Sequence, residues 1–562
     1  MGKIVVLLFV FSLQFIFAAE KPLPYRWFYL SCNLTKKTDL REIKDIFKTA
    51  AEHGYNGFIF SAGFDAISLQ KEDYFQRLEE LKNAALENKL ELIPIFMSAG
   101  WGGAIVHDKE LAEGTPVKDA LFVVKGNAAY FEPEGPAQIF NGSFEEEENG
   151  GLKGFKIEDI SSSCKYEDWA RDMRCLKLTE KQGLSENIDK THFKTGNTSV
   201  KIGGSQRKKG TGEILTAEVK VKPFRDYELS CWIRSEKLGN ASLRILGKNG
   251  ETLGFWRDEG KLREEWQKKH AVFNSRDNET VKVCAGVWKF YSNSGTTWFD
   301  GAGIEEVNSL DGLLRRAGTP ACVRNESTGK IYTGGRDYEF HGEKIDILAG
   351  GEIKNGDRLR AGYYRPVHIG GDQTSLCMSE PKLYEIWQKQ AEYIHKYLKP
   401  RKYFLSMDEI RAGGSCEACK KRNLTMAQIL GACITRQYNI IKNLEPAAEV
   451  FIWSDMLDPN HNACNNYWFV EGDLTGSWNY IPGDIVVACW NYEKRDASLK
   501  HFSALGFKTI GAAYYDANDL KSSGEWLKSL ARAENTCGLV YTTWKNKYKL
   551  LADFGDMLNA GR

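Results

Sequence analysis

Two stretches of this chain, one near each end, repeat a strand-then-helix rhythm, and between them the rhythm stops. Near the start, Trp27–Ser31 is a short apolar run, Asp39–His53 has helical spacing and Gly54 ends it. Gly57–Ala62, Tyr74–Asn88 and Leu92–Ser98 then read as strand, helix and strand. Strands that are apolar without alternation belong to parallel sheets covered on both faces. The rhythm returns at Pro381, with strands expected at Lys402–Met407, Val450–Ser454, Ile485–Trp490, Lys508–Tyr514 and Gly538–Thr543. Helices are expected at Lys382–Leu398, Thr425–Leu444, Ala497–Leu505, Glu525–Ala533 and Tyr548–Leu558. Three strands before the break and five after it make the eight that close a (β/α)8 TIM barrel.

Between about Gln138 and Pro366 there is no long amphipathic pattern. Short alternating segments replace it, among them Ile214–Val221, Tyr227–Arg234, Ala241–Leu246, Lys268–Phe273 and Thr280–Val287. Turn residues separate them, which is the signature of a β-sandwich. A smaller β-rich stretch follows, with Lys330–Tyr332, Asp337–Phe340 and Arg358–Tyr364. The expected class is therefore α/β, a barrel interrupted after its third strand by a jelly-roll-like sandwich. The expected boundaries are a signal peptide over 1–19, barrel strands one to three over 20–137, the sandwich over 138–309, a small β-rich segment over 310–366 and strands four to eight over 367–562.

The leader reading rests on Lys3, the apolar run Ile4–Phe17 and the small residues Ala18 and Ala19. It implies a secreted or periplasmic protein with no membrane span once the leader is removed. A formal net charge of +1 gives no footprint for nucleic acid. The 13 cysteines are an odd number, so at least one stays unpaired. Cys416-x-x-Cys419 is half of a zinc site, a local disulfide or a pair of free thiols, and the spacing alone does not choose.

In a barrel the chemistry comes from the carboxyl ends of the strands. The fourth strand ends Ser406-Met407-Asp408-Glu409-Ile410-Arg411, and the fifth ends Trp453-Ser454-Asp455. The sixth ends Trp490-Asn491-Tyr492, the seventh Tyr514-Tyr515-Asp516, and the eighth at Trp544. Strand ends one to three offer Tyr29, Ser61 and Ser98 with Trp101. Adjacent carboxylates among aromatic rings suit glycosyl transfer, which needs one proton donor and one negative charge beside an oxocarbenium-like transition state. Asp408 and Glu409 are the catalytic candidates. Arg411, Trp453, Asp455, Trp490, Asn491, Tyr514, Tyr515, Asp516 and Trp544 are the candidates for binding an oligo- or polysaccharide.

This Asp-Glu pair, with tryptophans from later strands, resembles the family 20 β-N-acetylhexosaminidases and their clan relatives. The resemblance implies Glu409 as general acid/base and Asp408 orienting the 2-acetamido group of the substrate, which acts as nucleophile. It also implies Tyr514 or Tyr515 on that acetamido group, and Trp453, Trp490 and Trp544 as pocket walls. The family's His-x-Gly-Gly run is replaced here by Ser406-Met407. His368-Ile369-Gly370-Gly371-Asp372-Gln373 mimics the run upstream, but Gln373 stands where the acid should be and the stretch reads as a loop. A second enzyme reading, similar to the retaining clan A glycosidases, pairs Glu409 with Asp516 or Asp455. A third is a secreted glycan-binding protein on a barrel without turnover.

Within the insertion, Asn141–Glu145 and Trp298–Gly301 look like the first and last strands of a carbohydrate-binding jelly roll. Glu145 and Asp300 are its candidate calcium ligands. Catalysis itself calls for no cofactor in any of these readings.

Overall fold

The computed structural model describes residues 23–560 except 37–39, 106–109, 136, 149, 163–175, 182–183, 204–210, 237–240, 259–263, 289–294 and 370–372. The expected leader, 1–19, lies outside the described residues. Eight parallel strands form a closed barrel: β1 (Tyr25–Ser31), β2 (Gly57–Ser61), β3 (Glu91–Phe96), β4 (Lys402–Leu405), β5 (Glu449–Trp453), β6 (Val486–Cys489), β7 (Thr509–Tyr514) and β8 (Thr536–Thr542). The register runs Trp27 beside Gly57 and Phe404 beside Ile95, and Trp27 beside Val540 joins β1 to β8. Phe58, Ile59 and Phe60 are all buried, so consecutive side chains on β2 are covered on both faces. The count of three strands before the interruption and five after it is the one expected from the sequence.

Among the described residues the longer helices are α1 (Arg41–Glu52), α2 (Glu72–Glu87), α3 (Pro381–Leu398), α4 (Met426–Leu444), α5 (Arg495–Ala504), α6 (Lys521–Arg532) and α7 (Leu551–Asn559). Their ends follow local chemistry. Pro381 opens α3, where a missing N–H costs nothing. Thr425 and Gln428 form a reciprocal capping box on α4. After β5 two 3-10 turns, Asp455–Leu457 and Ser477–Tyr480, replace the helix. The second packs on α4 so closely that a Cβ at Gly431 would lie 2.2 Å from the Cβ of Tyr480.

The chain divides into two compact units, Met1–Ala62 with Gln70–Pro94 and Gly483–Arg562, and Gly63–Leu69 with Ile95–Pro482. The second contains the whole insertion, which enters between β3 and its helix α3. It is nested. A seven-stranded sheet takes Gly114–Lys125 and Ala128–Phe131 from one side of the sandwich and strands from Cys322 to Pro366 from the other. Its longest pairing sets Gly114–Val123 against Arg358–Pro366. Residues 114–131, grouped by sequence with the first part of the barrel, therefore belong to this sheet. Inside it sits the sandwich, a six-stranded sheet and a five-stranded sheet. Asp226–Glu236 alternates buried and half-buried side chains, as a strand with one covered face does. Leu215, Leu229, Ile233, Leu243 and Phe299 lie in the sandwich core.

Candidate active site

β4 delivers Tyr403, Phe404 and Leu405 to the buried barrel wall and then leaves the sheet. The next residues are held by specific partners. Glu409 takes a left-handed backbone, φ +49°, unusual for a residue with a side chain. Its N–H donates to Asp455 Oδ2 at 2.9 Å, and the Nδ2 of Asn462 donates to the same oxygen at 2.8 Å. The Nε2 of Gln373 donates to Glu409 O at 2.8 Å and to Gly100 O at 3.2 Å. Gly100 lies so close that a Cβ there would meet Asp408 O at 2.0 Å. The loops after β3, β4 and β5 thus fix one another around the Asp-Glu pair.

The two carboxyls have different environments. Asp408 Oδ1 accepts from Ser406 Oγ at 3.1 Å. Desolvation, with Asp455 and then Glu409 as nearby negative charges, pushes the Asp408 carboxyl up to about 8. Glu409 is ion-paired, its Oε1 taking a hydrogen bond from Arg411 Nη2 at 2.9 Å. Arg411 lies near two rings, with its guanidinium 4.7 Å from the centroid of Trp468 and 5.9 Å from that of Trp101. Trp101 is 44% exposed. Backbone pairing of Ala412–Gly413 with Phe469–Val470 holds Arg411 and Trp468 on adjacent segments.

Several expected binding residues have other work here. Trp453 is 2% exposed and its ring packs at 4.6 Å on Phe404, so it presents no open face as a pocket wall. Asp455 is fully buried and acts on the backbone of Glu409. Trp101 is offered by the third strand end but is not among the binding candidates, Gln373 reads in the sequence as part of a mimic of the family run, and Trp468 is not among the expected site residues. Residues 370–372 of the upstream mimic lie outside the described residues, and the Gln373 amide braces the Asp408–Glu409 pair.

In the other unit, Trp490 stacks on Tyr515 with centroids 6.1 Å apart, and Tyr515 meets Trp544 edge-on at 5.9 Å. Tyr515 and Trp544 are about half exposed, and Tyr29 lies 5.0 Å from Trp544. Asp516 fixes this patch. Its carboxylate accepts from Thr543 Oγ1 at 2.6 Å and from Trp544 N at 2.8 Å. Tyr514, Tyr515 and Asp516 all have positive φ, a run of strained backbone that persists only where surroundings enforce it. Tyr514 is buried on Tyr541 at 4.1 Å, and Asn491 is buried and accepts from Lys494 N as a helix cap.

In the sandwich, Asp300 accepts from Lys194 N, Thr195 N and Thr195 Oγ1, and Glu145 from Asn197 N and Thr198 N. Both expected calcium ligands thus hold one loop. Among the described residues, the group of His, Cys, Asp and Glu side chains arranged to hold a metal is Glu113, Cys377, Cys416 and Cys419.

A scan against protein families matches none, and no curated protein sequence matches. Among solved structures, part of the chain is similar to TmCBM61 in complex with β-1,4-galactotriose, at 15% identity and TM-score 0.21, covering 31% of this chain and 100% of that one. A Family 16 Carbohydrate Binding Module is similar at 16% identity and TM-score 0.17, covering 21% of this chain and 82% of that one. A rhamnosidase from Novosphingobium sp. PP1Y is similar at 10% identity and TM-score 0.32, covering 92% of this chain and 55% of that one. Likenesses at this level say nothing of what this chain does.

Proposed function

We propose that this chain is an exported glycoside hydrolase acting on an oligo- or polysaccharide, with its chemistry at Asp408 and Glu409. The observation that carries the reading is the contrast between two adjacent carboxyls at the end of β4. Asp408, raised to about 8 by burial and by Asp455 and Glu409, keeps a proton at neutral pH. Glu409 is ion-paired with Arg411. A glycosidase needs such a division, one acid to protonate the leaving oxygen and one negative charge to stabilise the oxocarbenium-like centre. In this reading Asp408 is the donor in the free enzyme and Glu409 the stabilising carboxylate. Trp101, exposed beside Arg411, offers a sugar a stacking face. The half-exposed rings of Tyr515 and Trp544 are stacking faces in their own unit.

One observation favours the substrate-assisted alternative, with Glu409 as acid/base and Asp408 orienting a 2-acetamido group. Glu409 remains about one-quarter exposed, within reach of a ligand. The clan A pairings find less support, since Asp516 is engaged by the eighth strand end and Asp455 by the Glu409 backbone.

The test is a panel of chromogenic glycosides and reducing-end release from polysaccharides, with wild type, Asp408→Asn and Glu409→Gln. Turnover by the wild type and a loss of about 100-fold or more in each folded variant is the expected result. If the wild type binds glycans without turnover, the chain is a binding protein. Preference for N-acetyl-glucosaminide or N-acetyl-galactosaminide selects the substrate-assisted alternative.

A further inference from the structure

Four side chains from three separate stretches meet away from the Asp-Glu pair. Glu113 immediately precedes Gly114–Lys125, Cys377 lies just ahead of α3, and Cys416 and Cys419 follow the exit from β4. All four are buried, and their ligand atoms lie within 4.8 Å of one another. The Sγ of Cys377 is 3.4 Å from that of Cys416 and 3.8 Å from that of Cys419. Cys419 Sγ is 3.6 Å from Glu113 Oε2.

We propose that this cluster is a structural zinc site, with the three thiolates of Cys377, Cys416 and Cys419 and the carboxylate of Glu113 as a closed tetrahedral ligand set. The distances have the required size. Zinc–sulfur bonds of about 2.3 Å and a zinc–oxygen bond of about 2.1 Å give tetrahedral edges of about 3.8 Å between sulfurs and about 3.6 Å from sulfur to oxygen. The carboxylate is already oriented for the task. Its Oε1 accepts from Ser415 N at 2.9 Å, Ser415 Oγ at 3.0 Å and Cys416 N at 2.9 Å. That leaves Oε2 turned toward Cys419, and such outer hydrogen bonds are what fix a metal-binding carboxylate.

The charge also fits. Three thiolates and a carboxylate around a divalent ion leave a negative centre, and the buried guanidinium of Arg316, ion-paired with Glu380 at 3.6 Å, is a positive charge in its neighbourhood. The backbone holds the ligands in place without a metal bond. Glu113 N donates to Ser375 O, Cys377 N to Leu111 O and Ala418 N to Gly318 O. A third sulfur and a carboxylate supplied from distant sequence are what the lone Cys-x-x-Cys lacked as a zinc motif. The site would pin the returning end of the insertion to the loop that carries Arg411. It does not depend on the glycosidase reading.

The experiment is metal analysis of the full chain, purified without chelators or a histidine tag, followed by replacement with cobalt(II). The expected result is about one zinc per chain, and for cobalt a thiolate charge-transfer band with visible bands of four-coordinate strength. Cys419→Ser should lose most of the metal, and Glu113→Gln should keep the charge-transfer band, change the visible bands and weaken binding by about 10- to 100-fold. Chelation should lower the melting temperature by about 5 °C or more. Less than about 0.1 zinc per chain after incubation with zinc and a thiol reductant overturns the proposal. So does intact-mass or peptide evidence of a disulfide from Cys377 to Cys416 or Cys419 in the isolated protein. If Cys419→Ser does not fold, the cobalt spectrum of the unaltered chain decides alone.

Discussion

Asp408 holds a proton that the unfolded chain would already have lost. Its carboxyl is raised from 3.8 to about 8 by burial and by Asp455 and Glu409. The folded state therefore binds more protons than the unfolded state between those two values. Through this group stability is greatest at low pH and falls as pH rises toward about 8, the reverse of the usual carboxylate case. Asp408→Asn removes that slope. At pH 9 the variant should be more stable than wild type by up to about 5 kcal/mol, with little advantage at pH 4. Urea titrations at both pH values check this, and an equal difference at both would contradict it. The pair itself was legible in the sequence because two carboxylates at a strand end are conspicuous. What the neighbours do was not. Trp453 reads as a pocket wall until its packing on Phe404 is seen, and Asp455 reads as a ligand until the amide of Glu409 is found on it.

The loops that follow β3, β4 and β5 act together. Gly100 in the first lies against the carbonyl of Asp408 in the second, and a Cβ there would sit 2.0 Å from that oxygen. Backbone cannot yield as a side-chain tip can, so Gly100→Ala should displace the Asp408–Glu409 turn. We expect a loss of about 2–4 kcal/mol in stability and a steep fall in activity, measured by denaturant unfolding and by turnover. A change below about 0.5 kcal/mol would mean that the loops are not braced in this way. The strands were readable because apolar runs bounded by Gly, Pro and polar turns carry their own signal. The pairing of Gly114–Val123 with Arg358–Pro366 was hidden, because its two halves flank the sandwich and neither announces its partner.

The insertion is anchored to itself by a buried ion pair. Asp226, in the sandwich, is fully buried and accepts from Arg365 Nη2 of the seven-stranded sheet at 2.8 Å. Asn274 Nδ2 donates to the same carboxylate at 2.8 Å. Removing one partner strands the other charge away from water, so Asp226→Ala should cost about 3–5 kcal/mol. Calorimetry should then show the sandwich melting ahead of the rest, whereas an unchanged single transition would show that the two sheets do not depend on this pair. The sequence read the sandwich and the barrel correctly as separate patterns, but an ion pair that joins sheets has no periodicity to betray it. In the proposed function, one of two adjacent carboxyls carries the proton for glycosyl transfer. The pH dependence of kcat/KM for the wild-type chain on its best glycoside tests this most directly. The expected profile falls on the alkaline side with a midpoint near pH 8, set by Asp408. A profile that stays flat through pH 9, or a folded protein with no glycoside turnover at any pH, would contradict it.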